Sequence, residues 1–156
     1  MSRPGLFLLM IAAVFVVTPS GCHRNALPLA RVRGTVTLDG KPLTQGSVHF
    51  MPDNAKGTRG PMALGGIGAD GKFVLTTFKT GDGAQVGFHR ILVNCWKAVS
   101  LDPGNRQGPP LAKSLIPEHY NDEITSGLLA EVKAGIQNEF TFDLKSAALG
   151  NAPQHR

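Results

Sequence analysis

Residues 32 to 38 alternate without a fault: Val32, Gly34, Val36 and Leu38 fall on one side, Arg33, Thr35 and Thr37 on the other. A repeat of two is the signature of a β-strand with one buried face, and no helix accommodates it. Asp39-Gly40 follows at once and supplies a tight reversal, because glycine reaches positive φ without steric cost and aspartate tolerates it. The same grammar then governs the rest of the chain. Val48 and Phe50 open a second alternation, which Pro52 ends by withholding an N–H from the ladder. Met62 to Ile67, with Gly65-Gly66 inside it, reads as a weak edge strand, and Asp70-Gly71 turns the chain into Lys72 to Phe78 as a second hairpin. Phe88 to Trp96 is the longest run, with His89, Ile91, Val93 and Cys95 on one face and Arg90, Leu92 and Asn94 on the other. Leu128, Ala130 and Val132, then Phe140, Phe142 and Leu144 beyond Gly135, predict a closing hairpin.

These runs, with turn signals between them, predict an all-β fold, a seven-stranded Greek-key β-sandwich over residues 31–145. Sustained helical periodicity is missing, which excludes a parallel α/β architecture. The expected inward set is Val36, Leu38, Val48, Phe50, Phe73, Leu75, Ile91, Val93, Val132, Phe140 and Phe142. A chain of 156 residues is long enough to fill such a core without disulfide staples.

The first 21 residues have the form of a signal peptide: Arg3 near the start, an apolar run from Leu6 to Val17, then small residues. Ser20-Gly21-Cys22 resembles a bacterial lipobox, with Pro19 standing where that pattern has an aliphatic residue. The resemblance implies that Cys22 receives a lipid and becomes the mature N-terminus, and that 22–30 is a short lipidated tether. Cys95 is then the one remaining thiol and reads as a small core residue. The formal charge of +5 is carried by basic residues spread singly along the chain, with no arginine-rich helix and no basic patch interleaved with aromatics. A dedicated nucleic-acid binder is therefore not expected.

Residues 97–127 break the strand rhythm. Pro103-Gly104, Gly108-Pro109-Pro110 and Pro117 forbid one continuous helix or strand, and a loop of this length is expected to be a contact surface. Within it, Glu118, His119, Tyr120, Asn121 and Asp122 form the densest polar group and the candidate contact loop. A single histidine without fixed helical spacing does not make a metal site, so no metal or other cofactor is expected, and the group reads instead as a pin holding the loop on the sandwich. His89 reads as a hydrogen-bonded core histidine. G-x-S-x-G and H-E-x-x-H are both missing, so no catalytic residue is assigned. The tail, 146–156, has no periodicity.

Residues 32 to 48, of the form V-x-G-x-V-x-x-D-G-x-P-L-x-x-G-x-V, resemble the transthyretin-like or carboxypeptidase-regulatory-like domains. Asp70-Gly71-Lys72-Phe73 resembles that family's second turn, and Leu115 to Asp122 with Thr125-Ser126-Gly127-Leu128 resembles the ending of small bacterial lipoproteins built on it. The resemblance implies a non-catalytic module of the cell envelope. It would be anchored to the membrane by its N-terminal lipid, face the periplasm or exterior, and contact an envelope protein or polysaccharide. The alternative is a periplasmic or secreted domain that binds a small ligand or carbohydrate; a hydrolase is the least supported reading, since enzymes and inert adaptors share such sandwiches.

Overall fold

The computed structural model describes residues 27–99 and 111–146. The expected signal peptide, Cys22, most of the tether, the middle of segment 97–127 and nearly all of the tail lie outside the described residues. In chain order the strands are β1 (Leu29–Ala30), β2 (Val32–Leu38), β3 (Lys41–Pro42), β4 (Ser47–Pro52), β5 (Ala63–Gly66) and β6 (Lys72–Val74). They continue with β7 (Ala84–Gln85), β8 (Gly87–Asn94), β9 (Trp96–Val99), β10 (Leu111–Ser114), β11 (Leu128–Val132) and β12 (Asn138–Leu144). The fold is all-β, its only described helical pieces being short 3₁₀ turns at Asn54–Lys56 and Glu118–Asn121.

Two four-stranded sheets carry the architecture. One runs β11-β8-β4-β5, antiparallel throughout. In the other, β2 lies parallel to β12 on one side and antiparallel to β3 and β6 on the other. The alternation of β2 is obeyed: Val32 and Val36 are buried while Arg33 is exposed. Asp39 (φ 51°) and Gly40 (φ 77°) are both left-handed, as the tightest hairpin turn requires. The inner faces meet at Phe50 of β4, whose ring centroid lies 5.7 Å from Phe140, 6.1 Å from Phe142 and 6.4 Å from Phe73, all on the opposite sheet. Most of the expected inward residues are buried, with Leu38 and Phe140 partly buried against the same core.

Four expectations are altered by the tertiary arrangement. The Asp70-Gly71 turn does not close a hairpin within one sheet: β5 pairs with β4 while β6 crosses to β2, and only a single bridge, Leu64 to Thr76, joins the two arms. Gly34 permits this crossing, since a Cβ there would stand 2.6 Å from the Phe73 ring. Second, the strand predicted for Lys72 to Phe78 stops at Val74. Beyond it the Asp82 carboxylate accepts the N–H groups of Thr77, Phe78 and Lys79 at 2.7, 2.9 and 2.8 Å, so a side chain takes over the work of a ladder. Third, the closing hairpin is a crossover: β11 pairs with β8, whereas β12 pairs with β2 in the other sheet. Fourth, the ends of segment 97–127 are strand and turn, because β9 and β10 pair antiparallel, Trp96 opposite Ser114.

The topology gives the molecule two distinct ends. At the entry end lie the start of β2, the loops after β4 and β6, and the crossover 133–137. The far end holds the Asp39-Gly40 turn, the Asp70-Gly71 turn, the β9–β10 hairpin, residues 115–121 and the end of β12, while Glu123 and Ile124 run back to line a pocket with Met51 to Ala55 and Arg90.

Candidate functional site

The far end is where the sequence placed its contact loop, and its geometry begins at Cys95. β8 loses its regular pairing there: the Cys95 side chain is fully buried, and its carbonyl accepts from Leu115 N–H at 2.8 Å. Burial pushes the Cys95 thiol above its ordinary pKa, so it behaves as the small core residue expected. One residue on, Trp96 points the other way and is 46% exposed. Gln45 holds the hairpin here, donating from Nε2 to the Trp96 carbonyl at 3.3 Å.

Trp96 lines an open cleft of about 520 Å³ together with Lys113, Ser114, Ile116, Pro117 and Glu118. Its floor is apolar, from the indole, Ile116 and Pro117; its polar groups are an ammonium, a carboxylate and a hydroxyl. The hydroxyl of Ser114 donates to the Ile116 carbonyl at 2.7 Å, which fixes the bend between β10 and the 3₁₀ turn.

The candidate contact residues divide between cleft and scaffold. Glu118 is exposed and faces the cleft. Tyr120 is 7% exposed, and its hydroxyl accepts the Lys145 N–H at 3.1 Å, pinning the segment to the end of β12. His119 stacks obliquely on Tyr120 with ring centroids 4.0 Å apart. Asn121 donates to Ser114 Oγ at 3.4 Å. Asp122 accepts from Thr125 and Ile124 N–H at 3.0 and 2.9 Å, bonds that hold its carboxyl below the usual range. Four of the five residues therefore shape the loop and one is offered to a ligand. Among the described residues, no three His, Cys, Asp or Glu side chains converge as metal ligands would. Cys22 lies outside the described residues.

Two polar sets escaped the sequence reading, the first because Thr37 and Asp143 are 106 residues apart, the second because Asn94 joins Ser47 and His49 from 45 residues away. At the tip of β2, Asp143 accepts from Thr37 Oγ1 at 2.7 Å and from Gly40 N–H at 3.1 Å, and pairs with Lys145. The Lys145 hydrogen bond, then those of Thr37 and Gly40, draw the Asp143 pKa down to about 2. On the outer face of the first sheet, Ser47 Oγ lies 2.9 Å from His49 Nε2, and Asn94 Nδ2 lies 3.4 Å from the same nitrogen. Partial burial lowers the His49 pKa and favours the neutral ring. A nucleophilic relay needs a group behind the ring at Nδ1, whereas here both neighbours crowd Nε2. His89, 1% exposed, donates from Nε2 to the Gln85 carbonyl at 2.7 Å and faces Phe50 in the core.

Compared with known proteins, the chain matches no family model, no curated protein and no solved structure.

Proposed function

We propose that this chain is a lipid-anchored, non-catalytic module of the cell envelope, a seven-stranded Greek-key sandwich of the transthyretin-like kind that contacts a polysaccharide or protein through its far end. Its anchor is Cys22 at the end of a cleaved signal peptide, and it faces the periplasm or the exterior. The observation that carries the contact is the half-exposed indole of Trp96 over the apolar floor of a cleft rimmed by Lys113, Ser114 and Glu118. An aromatic face beside a few convergent polar groups suits an amphipathic ligand, whose apolar side stacks while its hydroxyls find partners. A sugar chain has that character. The Tyr120 pin and the Gln45 bond tie the cleft to the sandwich, which supports the same reading because a preformed site loses less entropy on binding.

Trp96 is the single tryptophan of the chain, so its emission reports on this cleft alone. Titration with soluble cell-wall oligosaccharides should shift or quench that emission in a saturable manner. Trp96→Phe should retain binding measured by calorimetry, and Trp96→Ala should weaken it at least tenfold while leaving the urea midpoint near that of the parent. Saturable binding undiminished in Trp96→Ala would remove the cleft as the contact site, and an unresponsive emission across cell-wall sugars would shift the proposal to a protein ligand.

A further inference from the structure

The anchored reading leaves open which way the domain stands on its membrane, and the entry end of the sandwich answers it. The first described residue, Leu27, is 40% exposed, and Val86 N–H donates to the Pro28 carbonyl at 2.9 Å, tying the incoming chain to this end. Five residue steps separate Leu27 from Cys22, a reach of at most about 17 Å for extended chain. A lipid on Cys22 would therefore keep the entry end within about 17 Å of the headgroups.

The loops at that end are amphipathic. Phe78 is 64% exposed at the tip of the loop after β6, Ile136 55% exposed in the crossover, and Met62 46% exposed before β5. Gly60 sits beside Leu27 and Gln85, and Asn138 binds the Arg31 and Ile136 carbonyls together, so these loops share one surface around the chain entry. Interleaved with the apolar side chains are Arg31, Arg59, Lys79 and Lys133, all exposed. The acidic groups nearby are already engaged: Asp53 is buried with Arg90 3.5 Å away, Asp82 accepts three backbone N–H groups, and Glu139 pairs with Arg33 at 3.1 Å. Two carboxylates stand at its margin: Glu131, exposed on β11 opposite Phe88, and Glu123, which lines a pocket with Asp53, Asn54 and Arg90.

Resting on the anchored reading, we infer that the entry end is a membrane-docking face: Phe78, Ile136, Met62 and Leu27 enter the interfacial region of an anionic bilayer while Arg31, Arg59, Lys79 and Lys133 meet its headgroups. Amphipathic surfaces bind bilayers by just this combination of buried apolar area and attraction to acidic lipids. The domain then stands upright, and the Trp96 cleft at the opposite end is directed away from the membrane.

The test uses the mature lipoprotein purified from membranes and returned to vesicles of phosphatidylglycerol and phosphatidylcholine. Its intact mass and flotation with vesicles, beside Cys22→Ser, report the anchor. An environment-sensitive fluorophore is placed on Phe78→Cys and, as the opposite-end control, on Lys41→Cys; both positions are exposed, and Cys95 is buried against labelling. Lipid-borne quenchers should dim the label at position 78 several-fold more than at position 41, and adding Lys79→Glu or high salt should reduce that difference. Equal quenching at the two positions in protein that carries its lipid and floats would overturn the docking face while leaving the anchor intact. A label at 78 shielded from water yet untouched by lipid quenchers would also overturn it, in favour of a protein covering that end. Protein without an acyl mass that does not float would overturn both.

Discussion

Asp143 is exposed, yet its carboxyl is firmly held because three donors converge on it, Thr37 and Gly40 from the end of β2 and its turn and Lys145 from two residues further along its own segment. A pKa drawn from 3.8 to about 2 means that folding favours the ionised form. The associated stability is complete above the ordinary carboxylate value and is lost as pH falls from there through about 2. In urea melts, Asp143→Asn should accordingly lie below the parent by a constant margin at neutral pH, and the margin should close as the buffer is taken from pH 4 towards 2. Asp70, Asp82 and Asp122 are depressed as well and act equally on parent and variant; Asp39, also depressed, loses a nearby like charge in the variant, a smaller effect than its own hydrogen bonds to Ser146. A margin independent of pH would show that the Asp143 network contributes geometry rather than charge. None of this was visible in the chain, where Thr37, Gly40 and Asp143 are about a hundred residues apart. His89 was legible, by contrast, because its alternation with Ile91 and Val93 forced it inward whatever else the fold did.

At the scale of elements, the crossover from β11 to β12 decides the topology, and one side chain holds it. Asn138 is 5% exposed; its Oδ1 accepts from Lys133 N–H at 2.8 Å, and its amide nitrogen donates to the carbonyls of Lys133, Ile136 and Arg31 at 3.0, 3.3 and 3.4 Å. It thereby closes the 133–137 loop on itself and binds it to the start of β2. Asn138→Ala should cost about 1–2 kcal/mol in a denaturant melt, since it removes a part-buried network of hydrogen bonds that closes the loop. A change below about 0.5 kcal/mol, the range of an ordinary surface substitution, would show that the loop closes without it. The strands themselves were evident from period-2 alternation. Their partners were not: Val132 and Phe142 each point into the core equally well from one sheet or from two, and alternation records only that a side chain is inward. The turn signals were similarly silent about sheets, as the Asp70-Gly71 reversal shows by carrying the chain from β5 in one to β6 in the other. The β9–β10 hairpin lacked any cue, because its two arms flank a proline-rich stretch and each is only four residues long.

For the whole molecule, the cluster of Phe50, Phe73, Phe140 and Phe142 is what makes two sheets one body. Phe50 is fully buried and touches the three rings of the other sheet, so Phe50→Ala should cost about 3–5 kcal/mol, by lost burial and the cavity left behind. A urea melt showing a loss under about 1 kcal/mol would mean that the sheets hold together by other contacts. The Trp96 cleft and the basic, apolar entry loops stand at opposite poles of that body, a placement that follows from the direction of β2 and of every strand registered against it. By itself, the sequence determined the cores of the long strands β2, β4, β8, β11 and β12, which face of each is buried and where the Asp39-Gly40 and Asp70-Gly71 reversals fall, because these depend on neighbours within a few positions. Only the tertiary structure decided which strands share a sheet, that β12 runs parallel to β2, and that Trp96, Lys113 and Glu118 line one cleft. The physical reason is that local geometry fixes where a side chain points, whereas pairing and clefts depend on how two faces of equal hydrophobicity close over one shared core.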